Sequence, residues 1–130
     1  MNTNEYTEQP YYLLSDGVML YDFFDLIQPD FYLGCVIKYI VRCNRKHSTP
    51  VIDLEKAIAY TRRMQGQAVY YCENVLKLHE AEAMIENAQY LQGWQKMAIK
   101  ALLTAPAATV RDLLTGALMD YMLVCDGEGE

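Results

Sequence analysis

Residues 29–63 read PDFYLGCVIKYIVRCNRKHSTPVIDLEKAIAYTRR, two helix-forming segments joined by a polar turn. We call this stretch the basic island, because it contains seven of the chain's 11 Lys and Arg residues but only three of its 17 Asp and Glu residues. The net charge of −6 therefore conceals one positive region, which would attract an anionic ligand. Its cations are Lys38, Arg42, Arg45, Lys46, Lys56, Arg62 and Arg63.

The length and composition predict one globular domain. A chain of 130 residues can bury roughly two thirds of its unfolded surface, and 52% hydrophobic with 22% charged residues is ordinary for a folded protein. Because both ends are polar and lack apolar periodicity, we expect a flexible tail at 1–14, a helical domain at 15–125 and an acidic tail at 126–130. Within the domain, residues 15–63 contain the island and residues 64–125 form a helical extension.

Charge and hydropathy limit the partners and the compartment. The chain starts without a basic segment followed by an apolar run, and no stretch approaches the ~20 apolar residues that span a bilayer. We therefore expect a soluble, cytosolic protein with no membrane partner. The acidic balance argues against general nucleic-acid binding. Four dispersed cysteines and two isolated histidines lack the spacing of a zinc site, so we expect reduced cysteines in or near the core.

Apolar periodicity predicts helices on both sides of the start of the island. A first helix at 15–27 has Ser15 or Asp16 as its N-terminal cap and is stopped by Pro29. Asp30 caps a second helix at 31–43. The predicted buried stripe of the second helix is Phe31, Cys35, Val36, Tyr39, Ile40 and Cys43.

Three longer helices complete the prediction. The third begins at Pro50 or Asp53 and ends at residue 78, the fourth covers 81–103, and the fifth covers 110–124 behind a cap formed by Thr109 and Asp112. Nothing in the sequence convincingly indicates a strand. The predicted fold is all-α, an antiparallel bundle of about five helices that self-associates through its long C-terminal helices. The third helix has an a/d seam of Leu54, Ala57, Thr61, Met64, Ala68, Tyr71, Val75 and Leu78, and the fourth buries Ala81, Met84, Ile85, Ala88, Leu91, Trp94, Ala98 and Leu102.

The motifs exclude two common nucleotide sites and leave anion binding. There is no G-x-x-x-x-G-K-[ST] loop and no G-x-G-x-x-G turn, and neither His47 nor His79 is placed for nucleophilic catalysis. Lys38, Arg42 and Arg45 follow at i, i+4 and i+7, so they share one edge of the second helix. Such cations neutralise phosphate oxygens, and phosphoryl transfer needs little beyond positioning and charge stabilisation. A solvated basic face is the alternative interpretation.

A pair of acids precedes the island. Asp22 and Asp25 are three residues apart, which puts both carboxylates on one helix face. Such a pair can hold a magnesium ion through water molecules, form ion pairs with the island, or simply face the solvent.

Two spaced patterns in the island resemble a known family. The pattern P-x-F-x-x-G-x-x-I-K-Y-I-x-R runs from Pro29 to Arg42, and D-L-x-K-A-x-x-Y-x-x-R runs from Asp53 to Arg63, with Lys46 between them. Over residues 21–63 the chain resembles a short phage family described as phage nucleotide kinase, whose members lack a Walker motif. The positions that match its pattern are Gly34, Lys38, Tyr39, Arg42, Lys46, Asp53, Lys56, Tyr60 and Arg63.

The resemblance implies a helical, phage-encoded protein that acts in the host cytoplasm. It also implies phosphoryl transfer from ATP or another nucleoside triphosphate to a deoxynucleoside monophosphate such as dGMP or dTMP, with Mg²⁺ as a cofactor. Our leading hypothesis assigns three groups of residues on this basis, with Tyr39 or Tyr60 stacking on the base. The catalytic group is Lys38, Arg42 and Arg63; the nucleotide-binding group is Gly34, Tyr39, Arg45, Lys46, Lys56, Tyr60 and Arg62; the metal-binding group is Asp22, Asp25 and Asp53.

A second hypothesis belongs to a different class of function. A non-enzymatic phage protein can bind and inhibit a host factor, such as a defence nuclease, through an acidic and tyrosine-rich surface. The chain has 11 tyrosines, and tyrosine serves interfaces as well as cores. The residues concerned are Glu73, Glu80, Glu82, Glu86, Tyr70, Tyr71 and Tyr90.

Overall fold

The structure is a computed structural model that describes residues 10–43, 45, 49–64 and 74–128. For residues 124–128 it describes the backbone alone. The described residues are mostly helical, so the predicted helical class is confirmed. The helices are α1 (Leu20–Ile27), α2 (Phe31–Val41), α3 (Val51–Arg63), α4 (Val75–Glu86), α5 (Gly93–Thr104) and α6 (Ala107–Glu128).

A short β-hairpin stands where the first turns of the first helix were predicted. β1 (Leu13–Ser15) pairs antiparallel with β2 (Val18–Met19), and a 3-10 turn (Pro10–Tyr12) leads into β1. Asp16 and Gly17 join the two strands. The φ of Gly17 is +76°, a left-handed conformation that glycine adopts without steric cost.

The hairpin extends the folded body towards the N-terminus. Tyr12 and Leu14 are buried, so residues 10–14 belong to the core region rather than to the predicted flexible tail. The same prediction for residues 1–9 lies outside the described part of the chain.

Helix α1 starts five residues later than predicted. Ser15, one of the two predicted caps, lies in β1 instead. The backbone N–H of Met19 donates to Asp22 Oδ2 at 2.8 Å, which satisfies one N–H group at the true helix start. Gln28 adopts a left-handed conformation (φ 48°) directly after the helix, next to the Pro29 that was predicted to stop it.

Helix α2 agrees best with its prediction. Asp30 Oδ1 accepts the backbone N–H of Leu33 at 2.8 Å, which confirms the predicted cap. The predicted buried stripe is confirmed at Val36, Ile40 and Cys43 and is wrong at Phe31, which is 71% exposed, while Cys35 and Tyr39 are half-buried. The buried residues of the helix are Leu33, Val36, Ile37, Ile40 and Val41.

Helix α3 ends far earlier than the predicted third helix. It stops at Arg63, residues 65–73 lie outside the described part, and α4 begins at Val75. The second half of the predicted seam fails at Val75, which is 60% exposed, while Ala68 and Tyr71 are not among the described residues. The first half is confirmed by the burial of Leu54, Ala57, Thr61 and Met64.

The predicted fourth helix is two helices. Residues 87–92 separate α4 from α5, so the prediction of one continuous helix is wrong. Asn74 Oδ1 accepts the backbone N–H of Lys77 at 3.1 Å and thereby caps the start of α4. Much of the predicted inner face is nevertheless buried, namely Ala81, Ile85, Ala88, Leu91, Ala98 and Leu102.

Helix α6 is longer than predicted at both ends. It starts directly after Pro106, so the predicted cap Thr109 lies inside the helix. It also includes the backbone of residues 126–128, which were predicted to be a tail. Arg111 links α6 to α3, because its Nε and Nη2 donate to the hydroxyl and the carbonyl oxygen of Thr61, each at 3.2 Å.

The core lies where α3 packs against both α2 and α6, with α5 also against α2 and α6 and with α4 against α1. Gln95 is buried at this junction, and its Nε2 donates to the carbonyl oxygen of Ile40 at 2.7 Å, which satisfies an acceptor near the end of α2. Among the described helices, none combines the length and the apolar character that crossing a bilayer requires. The largest fully buried side chains include Leu14, Phe23, Ile37, Ile40, Leu54, Ile85, Ile99 and Leu114.

Candidate functional site

Arg42 is a core residue rather than a surface cation. It is 5% exposed, its Nε donates to Asp53 Oδ1 at 3.0 Å, and its Nη1 donates to the hydroxyl of Tyr12 at 3.2 Å. Desolvation acts to lower the pKa of Arg42, but the hydrogen bonds to Tyr12 and Asp53 outweigh it and raise the pKa overall. The guanidinium therefore joins α2, α3 and the 3-10 turn, and the predicted catalytic contact with a phosphate is corrected to an internal one.

Arg45 is bound to backbone carbonyl groups rather than free to bind an anion. Its Nη1 donates to the carbonyl oxygens of Leu13 at 2.6 Å and Tyr11 at 3.3 Å, and its Nη2 donates to that of Tyr90. Burial lowers the pKa of Arg45, although a guanidinium keeps its charge in proteins. Arg45 thus ties the hairpin region to the connection between α4 and α5, which corrects its predicted nucleotide-binding role.

The three predicted metal ligands do not form a metal site. Asp22 Oδ2 accepts the Met19 N–H, Asp53 Oδ1 accepts from Arg42, and Asp25 is exposed on α1. Within the described ranges, no group of three or more Cys, His, Asp or Glu side chains is arranged to hold a metal ion. Asp53 Oδ2 is buried and accepts no hydrogen bond, but the adjacent guanidinium already balances its charge. These carboxylates therefore do not fit the Mg²⁺ that the resemblance implies.

Lys38 and Lys56 lie beside one tyrosine ring. Their Nζ atoms are 5.9 Å and 5.5 Å from the ring centroid of Tyr39, and the Cζ of Arg42 is 4.6 Å from the same centroid. A cation within ~6 Å of an aromatic centroid is attracted to the ring. Lys38 belongs to α2 and Lys56 to α3, so the contact between these helices brings two cations of the island together at the surface.

Tyr39 also begins a row of aromatic rings. It stacks on Tyr60 with a centroid separation of 5.8 Å and an interplanar angle of 20°. Tyr60 in turn contacts Phe31 at 6.1 Å and Tyr32 at 6.2 Å between centroids. The row leads from the buried guanidinium of Arg42 to rings that are exposed to solvent.

The exposed end of the row forms an open cleft between α2 and α3. We call it the aromatic cleft; its lining is Phe31, Tyr32, Ala59, Tyr60 and Arg63, and its volume is about 530 Å³. This volume lies within the ~300–1,000 Å³ of small-molecule sites. None of the described carboxylates forms an ion pair with Arg63, which is exposed. The cleft therefore combines aromatic surface with a guanidinium that can bind an anion.

Cys35 lies next to the aromatic row. Burial raises the pKa of its thiol, against the opposing effects of Lys38 and a hydrogen bond with Tyr60. The charge that a Cys35 thiolate would carry is the main cause of the raised pKa of Tyr60. Both groups are therefore neutral near pH 7, and the Tyr60 hydroxyl keeps its proton there.

The remaining predicted ligands lie apart from the cleft or outside the described residues. Arg62 is exposed on α3 but does not line the cleft, and Lys46 is not among the described residues. A Cβ added at Gly34 would meet only Pro29 Cγ, at 3.7 Å, which is ordinary van der Waals contact. The structure thus shows no close approach at this position that requires glycine.

Tyr32 was not among the predicted site residues, and Phe31 was predicted to lie in the core. Phe31, Cys35 and Tyr39 are four residues apart, so they suit a buried stripe as well as an exposed one. A second stripe on the same helix consists only of aliphatic residues and is therefore the more apolar face. Its presence indicates that the aromatic stripe is the exposed one. The aliphatic stripe is Leu33, Val36, Ile37, Ile40 and Val41.

The acidic, tyrosine-rich surface of the second hypothesis is described only in part. Residues 70–73 lie outside the described ranges. The hydroxyl of Tyr90 donates to Asp16, which raises the pKa of Tyr90, and Glu86 accepts from Lys100 Nζ at 2.6 Å. The side chains of Tyr90 and Glu86 therefore already have partners within this chain.

Cys43 is expected to resist alkylation in the folded protein. Burial, together with the charge of Asp53, raises the pKa of its thiol to about 12, and its Sγ contacts the carbonyl oxygen of Pro50 at 3.6 Å. Because the thiolate is the nucleophile, iodoacetamide near neutral pH should label Cys43 at least about 100-fold more slowly in native buffer than in urea. Peptide mass spectrometry measures both rates, and equal rates would contradict the expectation.

Comparison with known proteins finds no match among family models, curated proteins or solved structures. The geometry of the aromatic cleft is therefore the observation in this structure that bears on a function.

Proposed function

We propose that this protein binds nucleotides through the aromatic cleft. The observation that carries the proposal is the presence of Tyr32, Tyr60 and the unpaired Arg63 in one solvent-open cleft of the described structure. Every nucleobase has a π-face that stacks on such rings, and a guanidinium binds phosphate oxygens with a two-pronged geometry. The base would lie against the tyrosines and the phosphate against Arg63.

Lys38 and Lys56 extend the positive surface beyond the cleft. Both ammonium groups lie within 6 Å of the Tyr39 centroid, and Tyr39 stacks on the Tyr60 ring that lines the cleft. An ammonium group binds phosphate as a point charge, without the planar geometry that a guanidinium requires. These two lysines are therefore our candidates for the further phosphates of a nucleoside triphosphate.

We further propose that the protein transfers a phosphoryl group between bound nucleotides. The resemblance of residues 21–63 supports a phage-encoded deoxynucleoside monophosphate kinase that acts in the host cytoplasm on dGMP or dTMP, with ATP or another nucleoside triphosphate as the donor. In kinases Mg²⁺ neutralises charge between phosphates, but the described carboxylates do not fit it, so we assign it no residue. Lys38, Lys56 and Arg63 are the side chains proposed to stabilise the transferred group.

Isothermal titration of the full chain with dGMP, dTMP and ATP tests the binding. We expect Tyr60→Ala to weaken binding by about 5- to 150-fold, because stacking of one base on an aromatic ring contributes ~1–3 kcal/mol. Arg63→Ala should weaken it about tenfold through the loss of a charge-assisted phosphate contact. Arg62→Ala is the matched control, since Arg62 is the exposed neighbour that does not line the cleft; it should change the affinity less than about twofold.

Three outcomes decide between the forms of the proposal. The absence of heat for every nucleotide, in protein shown to be folded by circular dichroism, removes nucleotide binding. If Arg62→Ala and Arg63→Ala lower the nucleotide affinity equally, the nucleotide is attracted by the general positive charge of α3 and not bound at a site in the cleft. Binding without formation of deoxynucleoside diphosphate from dGMP or dTMP and ATP would retain the site and remove the kinase activity.

A further inference from the structure

The middle of α6 is apolar on sides that the described fold does not cover. Residues 113–123 read LLTGALMDYML, which contains one Thr, one Gly and one Asp among apolar and aromatic residues. Met119 is 58% exposed, Met122 47% and Leu123 68%. Exposed apolar side chains that lie this close together are normally covered by a partner, and none of the described residues covers these three.

Gly116 adds an open space to this surface. It lies on the same side of α6 as Met119 and Leu123, because positions three and seven residues away return to one helix face. A Cβ added at Gly116 would meet no described atom within 4 Å. Glycine inside a helix costs ~1 kcal/mol relative to alanine, and the described fold shows no contact that requires it. We call Gly116, Met119 and Leu123 the α6 stripe.

We propose that the α6 stripe pairs with the α6 stripe of a second copy of this chain. The two helices would run antiparallel about a two-fold axis between Met119 and Asp120, midway between Gly116 and Leu123. In a two-fold contact residue i meets residue j and residue j meets residue i, so Leu123 of each copy would enter the open space at Gly116 of the other copy. The stripe is thus complementary to itself in size, with the small residue and the large one equally far from the axis.

The size of the surface sets the strength of the pair. Met119, Met122 and Leu123 together expose on the order of 350 Å² per copy, which is comparable to the largest apolar patches of monomers, ~300–600 Å². It is less than the ~800 Å² per partner of a standard stable interface. We therefore expect a weak dimer with a dissociation constant in the micromolar range.

The acids beside the stripe disfavour an anionic lipid surface, and they also weaken the contact with a second copy. Asp112 and Asp120 are exposed on α6 near the stripe. Helices that lie on membranes carry Lys and Arg on their polar face, whereas these acids would be repelled by anionic lipid. In the two-fold arrangement the Asp120 carboxylates of the two copies lie near the axis and repel each other. Added salt should screen this repulsion and strengthen the dimer.

Analytical ultracentrifugation of the full chain over a wide concentration range measures the dimer. We expect Leu123→Glu to weaken it at least about tenfold, because each dimer would then bury two additional charges. Leu76→Glu is the matched control, since Leu76 is an equally prominent leucine, 76% exposed, on α4. It should leave the dissociation constant unchanged.

Two further variants separate a lost interface from a damaged fold. Gly116→Gln fills the open space and should also weaken the dimer at least about tenfold, yet glutamine is a better helix former, so the melting temperature of the monomer should stay the same or rise. Asp120→Asn should act in the opposite direction and strengthen the dimer at low salt.

A chain that stays monomeric at all concentrations would overturn the proposal. So would a dimer that Leu123→Glu and Gly116→Gln leave intact, because its interface would lie elsewhere. Binding of the full chain to anionic or neutral lipid vesicles through Leu123, without dimerisation, would also overturn it and make a lipid surface the partner of α6.

Discussion

Replacing Arg42 with alanine is expected to lower the free energy of unfolding by about 3–5 kcal/mol, because it leaves the fully buried carboxylate of Asp53 without its partner. It also removes the donor to the hydroxyl of Tyr12. The total stability of a domain is about 5–15 kcal/mol, so a large fraction would be lost. Urea denaturation followed by far-ultraviolet circular dichroism measures the change.

Two variants control for this result. Lys38→Ala removes a half-buried cation of the same helix that has no ion pair with a described acid, and it should change the free energy of unfolding by less than about 1 kcal/mol. The double variant Arg42→Met with Asp53→Leu should recover most of the loss, because replacing both partners of a buried pair by apolar residues is often neutral. If Arg42→Ala kept the wild-type stability and abolished nucleotide binding, Arg42 would belong to the ligand site after all.

Replacing Arg45 with alanine should cost about 2–4 kcal/mol of the free energy of unfolding. Its guanidinium donates to carbonyl oxygens of Tyr11, Leu13 and Tyr90, and hydrogen bonds from charged donors contribute ~1.5–3 kcal/mol each. After the substitution, water can hydrogen-bond to some of these carbonyl oxygens, since Arg45 is only half-buried. Urea denaturation gives the total, and hydrogen exchange should show the greatest loss of protection in the hairpin and in residues 87–92.

Arg45→Lys tests whether the fork of the guanidinium matters. The ammonium group of lysine cannot reproduce the planar guanidinium, whose two Nη atoms donate to the hairpin region and to the connection between α4 and α5. This variant should therefore recover less than half of the lost free energy of unfolding. Arg62→Ala, on an exposed side chain, should be close to neutral. A neutral Arg45→Ala would mean that the hairpin is held mainly by the burial of Tyr12 and Leu14.

The fold could be predicted where local signals act alone. Asp30 follows Pro29 and precedes an aliphatic stripe, and the start of α2 is where these signals put it. The hairpin was missed because Ser15 and Asp16 are good helix caps, although an Asp-Gly pair between apolar residues is also a strong hairpin signal. Gly17 needed a left-handed conformation, which a helix does not provide.

The break between α4 and α5 was missed for a different reason. Ala88 and Leu91 continue the apolar period of the preceding helix and are buried, yet they lie in the connection. Burial therefore does not distinguish a helix from an ordered turn when the turn also faces the core. Length does not distinguish them either, because α6 continues for 22 residues without a break.

The candidate site could be predicted only as a region. Lys38 and Arg42 are one helical turn apart and look equivalent in the sequence, but Arg42 meets an acid on the next helix and Lys38 does not. That acid, Asp53, is 11 residues further along the chain, and helical periodicity carries no information about such a contact. The exposed rings of Phe31 and Tyr32 depend in the same way on which stripe of α2 the neighbouring helices cover.

The buried pair of Arg42 and Asp53 also limits how this sequence can evolve. A slip of α3 by one turn along α2 would leave an uncompensated charge in each helix, whereas aliphatic contacts alone would tolerate the shift better. The pair thus selects one register for the two helices that form the aromatic cleft. In descendants of this sequence, positions 42 and 53 should change together or not at all.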